Sequence, residues 1–138
     1  MRIKRLTTAD IPALIAIDRA SFAADDQYGL PYYDEVIASN GFEAIGVEDD
    51  SKSVVAWALL DLRREPIRIR SLSVCVHYRR RKLATTLVRE ILVKHSGPVD
   101  LLVEPENRAA IALYEKLGFH VAEPDAELPQ RVRMVRAG

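Results

Sequence analysis

Between Pro66 and Val103 the spacing of apolar residues changes twice, and this constrains the chain more than any other feature. In "PIRIRSLSVCV" (66–76), Ile67 and Ile69, then Leu72, Val74 and Val76, alternate as in a β-strand. Leu83, Leu87, Val88, Ile91 and Leu92 follow at helical spacing. "SGP" at 96–98 breaks that helix, and Val99–Val103 is a short apolar strand. A strand, a helix and a second strand in this order imply one parallel pairing. Upstream, Phe42–Val47 and Ser53–Arg63 are further strands, with Asp49–Lys52 as a hairpin turn that implies antiparallel pairing. The expected fold class is therefore α/β, with a mixed, mostly antiparallel central sheet flanked by helices.

The ends of the chain complete the order. Arg2–Leu6 alternates charged and apolar residues as a half-buried strand does. Thr8, Asp10 and Pro12 are helix-start chemistry, and Ile11, Leu14 and Ile15 give the helix that follows an apolar face. Ala23–Pro31 is polar and turn-rich, and Tyr32–Ser39 forms a weaker helix that "SNG" ends. Asn107 caps a helix that runs to about Lys116, with Gly118 as its stop. Short strands near Phe119–Ala122 and Arg131–Val135 finish the order β-α-α-β-β-β-α-β-α-β-β. There is no internal repeat or low-complexity tract, and residues 1–138 are expected to form a single domain.

The chain carries 20 basic and 20 acidic residues, so net charge gives no reason to expect nucleic acid or an anionic membrane as partner. The distribution is less even: residues 63–82 hold eight basic residues and one acid, Glu65. A local basic stripe on a neutral protein suits a small anionic partner. The one cysteine, Cys75, excludes an intrachain disulfide and sits in an apolar run, where a buried, inert thiol is expected. No run suits a signal peptide or a membrane span, so a cytoplasmic protein is expected. His77, His95 and His120 are isolated and lack ligand spacing, so no metal is expected.

Arg79, Arg80, Arg81 and Lys82 stand at or just before the start of the helix that begins near Leu83. That is the positive pole of the helix macrodipole, where each cation costs a few tenths of a kcal/mol. An anion resolves the conflict. The unpaired N–H groups of a helix N-terminus form a phosphate site, and the flanking cations become its partners.

Two stretches carry a resemblance. "LSVCVHYRRRKLATTLV" (72–88) is similar to the acetyl-CoA motif of the GCN5-related N-acetyltransferase family, and "PENRAAIALYEKLGF" (105–119) to that family's second signature. The chain resembles most the ribosomal-protein alanine N-acetyltransferase branch. The resemblance implies acetyl-CoA as co-substrate and direct transfer of acetyl to a primary amine. That amine belongs to a protein N-terminus, a lysine or a small molecule. It implies that the main chain at Leu72, Ser73 and Val74 pairs with the pantetheine arm. It places the pyrophosphate among Arg79, Arg80, Arg81, Lys82, Leu83, Ala84 and Thr85, held by the amides from Arg80 onward. Asn107 would contact the pantetheine or thioester region, and Tyr114 would protonate the leaving thiolate. From spacing alone, Tyr114 is a core residue beside Ile111 and Leu117.

Two positions depart from the family pattern. Lys82 stands where glycine is usual; a lysine there is expected to keep the helical backbone and turn its side chain outward. Leu102 stands where the branch has a glutamate general base. Glu104, two residues on and on the same face of a continued strand, is the substitute candidate, with Asp61 and Glu106 behind it. The loop bearing Asp25, Asp26, Tyr28, Tyr32 and Tyr33 corresponds to the acceptor lining; an acidic, aromatic surface would suit a cationic amine. The departures also motivate an alternative, a catalytically silent acyl-CoA-binding or partner-binding module. Whether the chain is a monomer or a homodimer stays open.

Overall fold

A computed structural model describes residues 1–21, 30–79 and 82–138. Its elements are β1 (Arg2–Arg5), α1 (Ile11–Ser21), α2 (Leu30–Ala38), β2 (Phe42–Glu48), β3 (Val54–Asp61), β4 (Ile67–Val74), α3 (Leu83–Lys94), β5 (Val99–Val103), α4 (Arg108–Lys116), β6 (His120–Val121) and β7 (Val132–Arg136). The order of types is the expected one. The strands form one seven-stranded sheet in the order β1-β2-β3-β4-β5-β7-β6. Among the described strands only β4 and β5 pair in parallel, as the change of period between residues 66 and 103 requires. No helix among the described residues is long and apolar enough to cross a membrane.

Local chemistry sets the boundaries. In the β2–β3 turn, Asp49 accepts the amides of Ser51 and Ser53 at 2.9 and 3.0 Å, an Asx arrangement that fixes the hairpin. Pro31 falls in the first turn of α2, where a missing N–H costs nothing, so that helix begins two residues before the expected Tyr32. Asn107 caps α4 by accepting the Ala110 amide at 3.2 Å, and Gly118 takes φ +95° just beyond it. β4 stops at Val74, and Val76–Tyr78 is a 3-10 turn. Cys75 is therefore outside the strand and half-buried, not sealed in it.

The sheet separates two cores. On one face Ala58, Leu60, Ile69, Leu101, Val103 and Met134 pack under Leu83, Leu87, Val88 and Ile91 of α3. On the other, Trp57, Leu59 and Ala44 pack under Leu14 and Ile17 of α1 and Tyr33 and Val36 of α2. The second core encloses a carboxylate. Asp18 is buried and accepts from Tyr33 Oη at 2.7 Å and Trp57 Nε1 at 3.0 Å. Burial raises its pKa, and the hydrogen bonds it accepts, those of Tyr33 and Trp57 foremost, only partly oppose this. Tyr33, expected in the acceptor lining, is thus a core residue that bonds Asp18.

The β3–β4 ladder contains one irregularity. Leu59 pairs with Ser71 but Leu60 with Ile69, so Arg70 is an extra residue on β4. This bulge bends β4 and lets Arg70 and Ser71 both lean toward the α1–α2 side.

Lys82 departs from expectation. It does not continue the helix; it is the N-cap residue of α3 in the left-handed region, φ 60° and ψ 25°. Glycine adopts that backbone freely, whereas an L side chain costs about 1–2 kcal/mol there. Lys82→Gly should therefore raise stability by about 0.5–1 kcal/mol, after the greater freedom of glycine in the unfolded chain is deducted. A higher urea midpoint with an unchanged m-value is the expected readout; a lower midpoint would contradict it.

Asp18 gives a pH prediction. A folded pKa above the ordinary 3.8 means that its contribution is full below that value and is lost as pH rises through the folded pKa. Asp18→Asn cannot titrate, so its stability relative to the parent should improve as pH rises from about 4 toward 7. Urea midpoints of both proteins across that range check this, and a pH-independent difference would refute it.

Candidate active site

β4 and β5 pair only over Ile67–Ile69 and Val99–Leu101. Beyond these rungs β4 follows β3 to Val74, while β5 follows β7 to Val103. The strands part and leave a gap. In the β3–β4 ladder Cys75 N donates to Val55 O at 2.7 Å, and alternation turns the main-chain groups of Leu72 and Val74 away from β3, into the gap. Ser73 lies between them with its main chain toward β3 and its side chain buried. Val74 O accepts a long 3.4 Å contact from Arg79 Nε, so Arg79 lies over the strand end. A free strand edge of this kind suits an extended, amide-bearing arm.

The connection from β4 leads into α3. Thr86 N makes the first helical hydrogen bond, to Lys82 O at 3.0 Å, so the amides of Leu83, Ala84 and Thr85 precede any intrahelical partner. Unpaired amides at the N-terminus of a 12-residue helix fit a phosphate group. Lys82 is exposed beside them. Arg80 and Arg81 lie outside the described residues, as do Asp25, Asp26 and Tyr28.

Tyr114 is 9% exposed, with its ring 5.8 Å from that of Phe119. It belongs to the core under α3 and α4, as spacing alone implied. Burial pushes its hydroxyl up to about 12, so the phenol keeps its proton at neutral pH. Asn107 is exposed and acts as the cap of α4. Leu102 and Glu104 lie on the α1–α2 side, because Val99, Leu101 and Val103 alternate into the α3 core. Glu104 is just past β5, with its Oε1 3.1 Å from Arg131 Nε and a side chain 56% exposed. Glu106 is exposed before α4. Asp61 is no candidate base. It is buried, Arg63 and Arg70 both fork it, and Arg63 above all holds its carboxyl far below the usual carboxylate range.

On the α1–α2 side, where the strands part, lies a cavity of about 370 Å³. Tyr32, Val36 and Phe42 line one wall, and Ile69, Leu102 and Leu128 contribute apolar surface. Its charged lining is four arginines, Arg63, Arg68, Arg70 and Arg131, with no carboxylate among the described lining residues. Behind it, Arg68 forks Asp100 with Nε–Oδ1 3.0 Å and Nη2–Oδ2 2.9 Å, and reaches Asp125 at 3.0 Å. Arg133 adds a 2.9 Å contact to Asp100, which is fully buried. Tyr32 lines the cavity as expected of its loop, but the described lining is cationic rather than acidic. In the sequence Arg63, Arg68 and Arg70 belong to the basic stripe of residues 63–82, whereas Arg131 and Arg133 lie outside it. Alternation of Arg68 and Arg70 against Ile67 and Ile69 was the available signal for their common face.

The sequence matches the acetyltransferase (GNAT) family over residues 11–119. It is 28% identical over 121 residues to the N-alpha-acetyltransferase RimI of Mycobacterium tuberculosis, covering 85% of this chain and 77% of that protein. The fold is similar to that of the ribosomal-protein alanine N-acetyltransferase of Escherichia coli, with TM-score 0.82 at 22% identity over 99% of this chain and 92% of the other. It is also similar to the PaiA N-acetyltransferase of Thermoplasma acidophilum solved with coenzyme A, with TM-score 0.75 at 19% identity over 99% and 98% of the two chains. The parted strands, the helix that opens beside them and the matched segment together identify this chain as a member of the GNAT family and an N-acetyltransferase.

Proposed function

We propose that residues 1–138 form one N-acetyltransferase domain that takes acetyl-CoA as donor and passes its acetyl group directly to a primary amine, as in the RimI-like branch. The observation that carries this reading is the parting of β4 and β5 after Ile69 and Leu101, with the open first turn of α3 following the end of β4. Acetyl-CoA supplies an acetyl group as a thioester open to attack by nitrogen. Leu72 and Val74 offer main-chain groups to the amide arm, and Leu83, Ala84 and Thr85 offer N–H groups to the pyrophosphate. Arg79 and Lys82 add charge, joined by Arg80 and Arg81 from the sequence. Asn107 holds the first turn of α4 and with it the helix that carries Tyr114.

Tyr114 supplies the proton that the departing sulfur needs. A phenol held near 12 is protonated at neutral pH and, once its neighbour is an anionic sulfur, is a competent donor. The attacking amine must itself lose a proton. Leu102 cannot take it, and the exposed Glu104 on the same face can pass it to water.

Calorimetric titration of acetyl-CoA should give micromolar binding, roughly 8 kcal/mol of free energy. Absence of binding would remove the donor assignment. Tyr114→Phe should lower kcat by about 10²-fold while acetyl-CoA affinity stays within a few-fold, the signature of a proton donor rather than a binding group. Glu104→Gln should lower kcat less, by about 10-fold, and flatten the rise of rate with pH. A variant as fast as the parent would remove the corresponding role.

A further inference from the structure

The cavity beside the gap carries a charge pattern that the family assignment does not explain. It rests on the same site and on the N-acetyltransferase reading. Arg63 and Arg70 share one carboxylate, Asp61, and Arg68 and Arg133 share another, Asp100. Both carboxylates are buried behind the arginines, at 1% and 0% exposure, so the cavity meets the guanidinium side. Asp125 adds a contact to Arg68, and Glu104 stands 3.1 Å from Arg131 Nε without the alignment of a hydrogen bond. Five carboxylates, Asp61, Asp100, Asp125, Glu104 and, acting on Arg63 without a hydrogen bond, Glu35, therefore face six guanidinium groups, Arg63, Arg68, Arg70, Arg131, Arg133 and, 4.0 Å from Asp100, Arg64.

The forks leave donors unused. Arg63 and Arg70 spend Nε and Nη2 on Asp61, and no described residue takes the hydrogens of their Nη1 groups. Arg63 Cζ lies over the Phe42 ring, 4.4 Å from its centroid, and Arg70, the extra residue of the bulge, reaches the same carboxylate. Guanidinium groups held in place by buried partners, with free N–H edges in a concave site, are arranged for a carboxylate.

We infer that the acceptor is an amine that carries a carboxylate close to the reacting nitrogen, bound in the cavity by Arg63, Arg70 and Arg131, with polycationic amines excluded. The shared chemistry has two sources, an acidic protein N-terminus and a free amino acid. The volume of about 370 Å³ accommodates one or two residues.

The test uses the whole chain with acetyl-CoA, following thiol release. The acceptors are three peptides that begin with alanine followed by two glutamates, two glutamines or two lysines, together with free glutamate and spermidine. The glutamate peptide should exceed the glutamine peptide in kcat/KM by about 10-fold and the lysine peptide by more, with spermidine inert. Turnover of free glutamate above that of the glutamate peptide would assign the small-molecule source, and the reverse the protein source; either agrees with the inference. Arg131→Gln should collapse the ratio between glutamate and glutamine peptides through KM, without moving the KM for acetyl-CoA, and Arg131→Lys should restore part of it. Equal or better transfer to the lysine peptide or spermidine would overturn the inference and leave the N-acetyltransferase reading intact. Acetyl-CoA binding without transfer to any of these acceptors would also overturn it. Failure to bind acetyl-CoA at all would bring down the reading on which it rests.

Discussion

The gap between β4 and β5 depends on a buried ion pair at the last rungs before the strands part. Arg68 and Asp100 stand opposite each other in the parallel register and are joined by two hydrogen bonds. Removing either group would leave the other with a weakened set of partners, Arg133 for Asp100 or Asp125 for Arg68, at a cost of up to about 3–5 kcal/mol. Together they tie the two strands at one end. Arg133 of β7 holds the same carboxylate, so three neighbouring strands meet on one side chain. Past this knot, β4 is held only by β3 and β5 only by β7.

The two sides of the sheet divide the chemistry. On the α3 side the core is apolar, and it buries Tyr114 deeply enough to keep its phenol protonated. The helix on that side opens with unpaired amides and charged neighbours suited to a diphosphate. On the α1–α2 side the polar groups are bound into forks around Asp18, Asp61 and Asp100. Features suited to a diphosphate therefore collect on the α3 side and the arginine-lined cavity lies on the other, with the gap connecting them.

The order and type of the elements were legible because each depends on spacing within a dozen residues. Two signatures, at 72–88 and 105–119, were also local and gave the family. What escaped depends on partners far apart in the chain. Arg68 and Asp100 are separated by 32 positions, and nothing in either neighbourhood announces the pairing. The cationic cavity arises only when residues from α2, β2, the β3–β4 connection, β4, β5 and the segment before β7 converge. The left-handed backbone at Lys82 was missed for a different reason. The family's glycine would have announced it, and a lysine in its place conceals a strained turn behind an ordinary side chain.

The bulge in β4 has a consequence for chain length. β3 needs one residue fewer than β4 supplies between Leu60 and Leu59, and the surplus is Arg70. Without it the ladder would be regular and every other side chain of β4 would keep its face. The strand would run straighter, and Asp61 would lose one of its two arginines. A single-residue deletion here, harmless by the rule of alternation, would thus be tolerated by the core while it altered the mouth of the cavity. A change in the mouth of the cavity can thus enter this fold through the length of one strand, with no change in what that strand buries.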